Sequence, residues 1–527
     1  MRRRRAPRPS LTAALVVVAL VSSFVARDVR AGLADPSSDV DASDPTASSS
    51  RASHFFASEP TLAYSKVHDV VALGYDDEAG AYDVAADGTR TKRAHPSLAG
   101  LSLSSDRGRT WTRIGPFPPV DPACTGECTT ALMGNPQVAS EGARTFYASL
   151  SMTHSPPDAA AADAIAVMRS TDGVTFRPPR VVASLAEGIA DKYSFTMDND
   201  TALLSYTGAR TGALFVSSAD GIVATDEPWT PPVRITLPSP DERARIRAPI
   251  VRMRDFATAY VAYMIPHDAF DTTFDLAIAR LYRLQRVPAT AAEPEHLARV
   301  DWFAADATFR RPGIAIDPAI PGALGRRWRD VYPISFDVDG ISNHLYLAYR
   351  ELRPQLGHSV IVLQDCDESP VGSCLATKTD GGYDGWRLQE FDDCSAHGGQ
   401  YQPFVVAGQD ARSVAIVFYE RLSDDETDLR VTLRGVYSRD SGDHWSDLAA
   451  LRPVANSWVP CPQARGAPNA LHAYGDYLAS TILPFPNPDF PPSPKEPWIL
   501  SAHTDSSGGC VDDPTVTFDQ HVQTVLW

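Results

Sequence analysis

Ser104-Ser105-Asp106-Arg107-Gly108-Arg109-Thr110-Trp111 returns far downstream as Ser438-Arg439-Asp440-Ser441-Gly442-Asp443-His444-Trp445. The five fixed positions of S-x-D-x-G-x-T-W match by chance about once in a million start positions or more rarely. A local motif recurring at long range marks a repeated fold unit. A shortened copy, Ser170-Thr171-Asp172-Gly173-Val174-Thr175-Phe176, keeps the serine, aspartate, glycine and aromatic, and weaker relics stand at Ser218–Gly221, Thr379–Gly382 and Thr504–Gly508. The residue types explain themselves. Asp and Ser oxygens accept from the N–H groups of a tight turn, and glycine supplies a left-handed backbone position without a Cβ clash. The aromatic then opens the returning strand and is large enough to pack between sheets. The motif therefore predicts a clasped β-hairpin.

This clasp resembles the Asp box (BNR repeat) of the sialidase superfamily of β-propellers. The resemblance implies a hairpin between the third and fourth strands of a blade, on the face away from the active site. It speaks for architecture and hardly at all for chemistry.

Reading outward from the boxes exposes a longer unit. Each unit opens on a short strand carrying a proline: Glu59-Pro60, Asn135-Pro136, Ala248-Pro249, Tyr332-Pro333, Gln402-Pro403 and Ala467-Pro468, with Tyr193-Ser194 as a proline-free equivalent. A β-rich second run follows each opening, such as Thr145 to Met152, Ser413 to Tyr419 and Asp476 to Leu483. A third run leads into the box and a fourth leaves it. Four short strands per unit predict an all-β fold, a β-propeller of four-stranded antiparallel blades. The openings favour seven blades, with six, as in catalytic sialidases, the alternative. Residues 159–166 and 293–303 are the two stretches that read as short helices.

The chain has three expected parts. Residues 1–31 read as a secretory signal peptide, with Arg2 to Arg5 basic and Leu11 to Val25 apolar; residues 32–53, rich in Asp, Ser, Ala and Pro, read as a disordered linker. Residues 54–527 hold the propeller. No later apolar stretch reaches membrane length, so the expected location is secreted, periplasmic or cell-surface, without a membrane span once the signal is removed. The net charge of −17 argues against nucleic acid as partner. A monomer is expected. Seven cysteines in an exported chain suggest disulfides. Cys124 and Cys128 close one small loop and Cys366 and Cys374 another; Cys394 and Cys461 could meet, and Cys510 is left over. No cofactor is expected; calcium at Asp337–Gly340 or Asp424–Glu426 lacks a full loop spacing, and solvated acidic turns explain both runs.

Topology sends the second-to-third and blade-to-blade connections to the face opposite the boxes, where ligands of propellers usually sit. Two strand ends there stand out: Tyr349-Arg350-Glu351 and Tyr419-Glu420-Arg421, each joining a phenol, a carboxylate and a guanidinium. The resemblance implies a tyrosine nucleophile activated by glutamate and arginines that clamp a substrate carboxylate. The catalytic candidates are accordingly Tyr349, Glu351, Tyr419 and Glu420, and the substrate-binding candidates Arg247, Arg350, Arg421, His154 and His267. Each also has a plainer explanation as core packing, a surface ion pair or an idle loop histidine. The first opening, Ala57-Ser58-Glu59-Pro60, lacks the arginine of the sialidase F/Y-R-I-P motif. The functional expectation is a secreted, sialidase-like propeller engaging carbohydrate or a cell-surface glycoconjugate, as a glycoside hydrolase on acidic sugars. The alternatives are a non-catalytic glycan- or protein-binding propeller and a His/Tyr polysaccharide lyase.

Overall fold

The structure is a computed structural model. It describes residues 40–41, 57–85, 90–154, 162–190, 192–198, 200–220, 229–238, 241, 244–267, 272–287, 296–316, 333–369, 373–375, 385–391, 399–408, 412–421, 431–451, 478–483, 498–505 and 521–527. Nearly all of their regular secondary structure belongs to seven four-stranded antiparallel sheets, the blades of a β-propeller. Blade 1 comprises Ala57–Ser65, Val70–Asp77, Ala99–Ser104 and Thr112–Pro116 from the channel outward, and blades 2 to 6 repeat this order.

Successive side chains of a strand point to opposite sheet faces, and in a ring both faces meet a neighbouring blade. The middle strands are therefore apolar on both sides. Val414–Arg421, for example, is buried at every position. The core is divided accordingly into clusters that each join two successive blades, from Leu101 and Tyr147 between blades 1 and 2 to Leu73 and Leu500 between blades 7 and 1.

The box turns are built as their residue types predict. Asp106 accepts from Thr110 N (2.8 Å) and Thr110 Oγ1 (2.6 Å), while Ser104 Oγ accepts from Gly108 N (2.7 Å). Ser438, Asp440 and Gly442 repeat the pattern, with His444 Nδ1 on Asp440 Oδ2 (2.6 Å) in place of the threonine. Each box also docks on the preceding blade. Trp111 is buried and donates to Thr524 Oγ1 of blade 7 at 3.0 Å. Phe176 and Trp445, expected to be buried, are half-buried against Phe117 of blade 1 and Phe391 of blade 5.

Three expectations change. The run ending at Leu483, read as a second strand, is the innermost strand of blade 7: Ala479–Leu483 pairs with Trp498–Asp505, and its Ser480 to Ile482 line the central channel. Thr504-Asp505 thus ends a second strand, and residues 506–508 of that relic lie outside the described residues. Second, the outermost strand of that blade is Val40–Asp41, from the stretch read as a linker, paired with Thr524 and Gln523. A segment from early in the sequence thus pairs beside the strand His521–Leu526 and completes the blade. Third, residues 164–166 and 296–303 are strand, not helix, because pairing outweighs their alanine content. The Thr379–Gly382 relic lies outside the described residues. Both short-loop disulfides form, Cys124–Cys128 and Cys366–Cys374; Cys394, Cys461 and Cys510 lie outside the described residues. Among the described residues no helix is long and apolar enough to cross a membrane.

Candidate functional site

The openings of the inner strands shape the channel at the face opposite the boxes. A proline there has no N–H for the ladder, so the pairing slips, between Ser58 and Thr61, Gly134 and Gln137, Arg247 and Ile250, and Tyr401 and Phe404. The residue before each proline adopts a left-handed backbone: Glu59 (φ 55°), Asn135 (53°), Ala248 (47°) and Gln402 (49°). Lys192 (82°) does the same in the proline-free blade 3. Such non-glycine positions cost about 1–3 kcal/mol each and persist only where the surroundings hold them.

Three of these left-handed residues meet. Lys192 Nζ donates to Asn135 Oδ1 at 2.6 Å and lies 3.3 and 3.4 Å from the Glu59 carboxylate oxygens. The exposures of Lys192, Glu59 and Asn135 are 1, 7 and 9 %. Beside them, the half-buried Asp76 accepts from Asn135 N at 2.9 Å. Gly134 is required at this approach, since a Cβ there would lie 2.4 Å from Asp76 Oδ1 at φ +85°. Behind the cluster stands Tyr147. Burial first, then the charge of Asp76, pushes its phenol well above the usual value, and its buried hydroxyl has no hydrogen-bond partner among the described residues. The channel narrows here to a cavity of about 50 Å³ between Gln137, Tyr193, Arg252 and Gln402. Arg252 then bridges Ser194 and Asp337 before the channel widens to about 630 Å³ towards the box face.

The residues singled out in the sequence lie at strand ends on this same face, but at different blade junctions. Tyr349 packs against blade 4, with Arg311 5.7 Å over its ring. Burial raises its phenol well above the ordinary value, against the pull of Arg311, and its hydroxyl has no hydrogen-bond partner among the described residues. Glu351 is engaged by Arg311 (3.2 Å) and Arg353 (2.8 Å). Strand alternation turns Arg350 the other way, where it is 2 % exposed and stacks 4.3 Å over Tyr401 of blade 6. Glu420 is buried in an ion pair with Arg434. Tyr419 packs in the core shared with blade 7, and Arg421, two residues on, is buried on the same side.

Arg247 is half-buried, with its Nε lacking a partner among the described residues. His267 Nε2 meets Asp275 at 2.6 Å; Asp275 also holds Arg310 (2.8 Å), which reaches Asp241 (2.8 Å). Burial works to raise Asp275, and His267, the Gly313 N–H and Arg310 outweigh it and hold it low. His154 is exposed on blade 2, 2.5 Å from Asp163. The site thus contains a Tyr349–Glu351–Arg311 group and separate histidine–carboxylate pairs.

Two calcium candidates were weighed in the sequence. Asp337 is taken up by Arg252 and Ala407 N, and Asp339 by Ile341 N and Ser342; Asp424–Glu426 lies outside the described residues. Among the described residues no group of three His, Cys, Asp or Glu is placed to hold a metal ion. Glu59, Asn135, Tyr147 and Arg311 were not candidates. The signal for the first two was present in the sequence, as polar residues immediately before the opening prolines.

No protein-family model and no curated protein sequence matches the chain. Solved structures similar to it include a Dyadobacter fermentans protein of unknown function, at 13% identity and TM-score 0.40, covering 73% of this chain and 95% of that one. A GH93 alpha-L-arabinofuranosidase of Fusarium graminearum is 13% identical at TM-score 0.37, over 72% of this chain and 92% of that one. A sialidase of Streptococcus pneumoniae is 10% identical at TM-score 0.35, over 89% and 68%. With its seven four-stranded blades and clasped hairpins, the chain is a β-propeller in fold.

Proposed function

We propose that this protein is an exported propeller that engages a glycan at the channel end opposite the box turns. One observation carries the reading: three residues with left-handed backbone from successive blades, Glu59, Asn135 and Lys192, come together beside the half-buried Asp76. Strain and a buried ion pair are both costly, and proteins concentrate them where a ligand is met. Carboxylate and amide groups fixed in this way match the donors and acceptors of a sugar ring. The two disulfides agree with an oxidising compartment.

Hydrolysis is the finer form of the proposal. Glycosidic cleavage by water uses two carboxyl groups, one to protonate the departing oxygen and one on the opposite side of the ring. Glu59 and Asp76 lie on paired strands of blade 1 and supply that chemistry.

The test compares the wild-type protein with Asp76→Asn by calorimetric titration across a glycan panel, with reducing-sugar release followed in parallel. Asp76→Asn should weaken binding at least about tenfold. Asp106→Ala, on the box face, should leave it unchanged. Equal binding by wild type and Asp76→Asn contradicts the proposed site.

A further inference from the structure

We propose that Lys192 and Asn135 are joined by an intramolecular isopeptide bond, an amide between Nζ and Cγ that the chain makes on itself with Glu59 as proton carrier. The inference goes beyond the glycan reading and does not depend on it. Lys192 Nζ lies 2.6 Å from Asn135 Oδ1, so the carboxamide carbon is one bond beyond the contact. The Glu59 carboxylate oxygens stand 3.3 and 3.4 Å from the same nitrogen. All three side chains are buried, and they come from the openings of three successive blades, where each residue is held in a left-handed backbone. The buried rings of Tyr147 and Tyr193 flank them.

A lysine in water does not attack an amide, because its amine is protonated and carries no free lone pair. Burial changes that condition. Desolvation disfavours an ammonium, and a carboxylate within hydrogen-bond reach can take its proton, which turns a buried ion pair into a neutral amine and a neutral carboxyl. The freed lone pair then attacks Asn135 Cγ; the new C–Nζ bond forms and the C–Nδ2 bond breaks. Of the three Nζ protons one stays on the amide, and two leave with Nδ2 as ammonium by way of Glu59, which ends as the carboxylate it began as. The step needs no co-reactant. Holding amine and amide in contact supplies the orientation that the same pair lacks when free in solution. The Asn135 carbonyl oxygen survives as an acceptor, and the bond closes the 57 positions between the two residues into a covalent loop across blades 2 and 3.

The experiment is mass spectrometry of the full chain, purified, reduced and denatured, first intact and then after proteolysis. Wild type should weigh one ammonia less than its sequence, and its digest should contain a branched peptide joining the segments around Asn135 and Lys192. Lys192→Arg and Glu59→Gln, which keep the length of the side chain, should show the full mass and no branched peptide, with thermal melts confirming that they fold. Wild type at full mass with an unlinked Lys192 overturns the inference, and that result stands whether or not either variant folds. The same branched peptide in Glu59→Gln overturns the role given to Glu59. Glycan binding is read separately by titration, so the failure of one reading leaves the other standing.

Discussion

Single residues divide between clasping the fold and meeting a ligand, and the two boxes differ in one atom group that can be measured. Where the first box uses Thr110, the second uses His444. The bond to Asp440 and its charge raise the His444 imidazole above its ordinary value; burial works to raise Asp440, and the bonds from His444 and Ser438 outweigh it and bring it down to about 2. A histidine raised by folding stabilises fully below its unfolded value of about 6.5, and the contribution is lost as pH rises through the higher folded value. Thermal melts should therefore show a fall in stability over that window that His444→Thr removes. An unchanged slope in the variant would contradict the pairing. Tyr147 lies within the core between blades 1 and 2. Tyr147→Phe deletes a buried hydroxyl without a hydrogen-bond partner among the described residues, so stability should hold or rise by up to about 1 kcal/mol, as read from thermal melts. A lowered melt would show that the hydroxyl contributes to the fold.

At the scale of elements, the Cys366–Cys374 loop shows how a connection is made rigid. Glu368, fully buried inside it, accepts from Cys374 N (2.7 Å), the Tyr260 hydroxyl (3.2 Å) and Arg280 (3.3 Å), which belong to blade 4 in the last two cases. The disulfide thus fixes a carboxylate that joins two blades. Replacing both cysteines by alanine should cost about 2–3 kcal/mol, the entropy of freeing so short a loop, as measured by denaturant unfolding. No loss would mean that Glu368 holds the loop unaided. Elements also show what the sequence makes legible. Box turns are local, with donor and acceptor within a few residues, so Ser104, Asp106, Gly108 and Thr110 could be read directly. The prolines marked the inner strands, but not the left-handed φ of Glu59 or Asn135, which only the slipped pairing reveals. Alternation along Tyr349-Arg350-Glu351 already implies opposite faces, and adjacency in sequence concealed it.

For the whole molecule, ring closure decides what sequence patterns cannot. Val40–Asp41 is too short to alternate, yet it completes blade 7 and covers the edge of His521–Leu526. Deleting these two residues should lower the melting temperature and promote association through the exposed edge, seen by light scattering. Unchanged melting would show that the ring closes without them. The same distance problem governs the site: Lys192 and Glu59 are 133 positions apart and meet only because the blades curl into a ring. The account's central claim is that a sugar sits at this meeting point. The most direct measurement is a crystal structure of the full propeller with a bound oligosaccharide. The account predicts sugar hydroxyls within hydrogen-bond distance of Asp76 and Asn135, at the channel end opposite the boxes. A sugar seated instead in the wide box-face mouth beside Glu141 and Asp198 would contradict it.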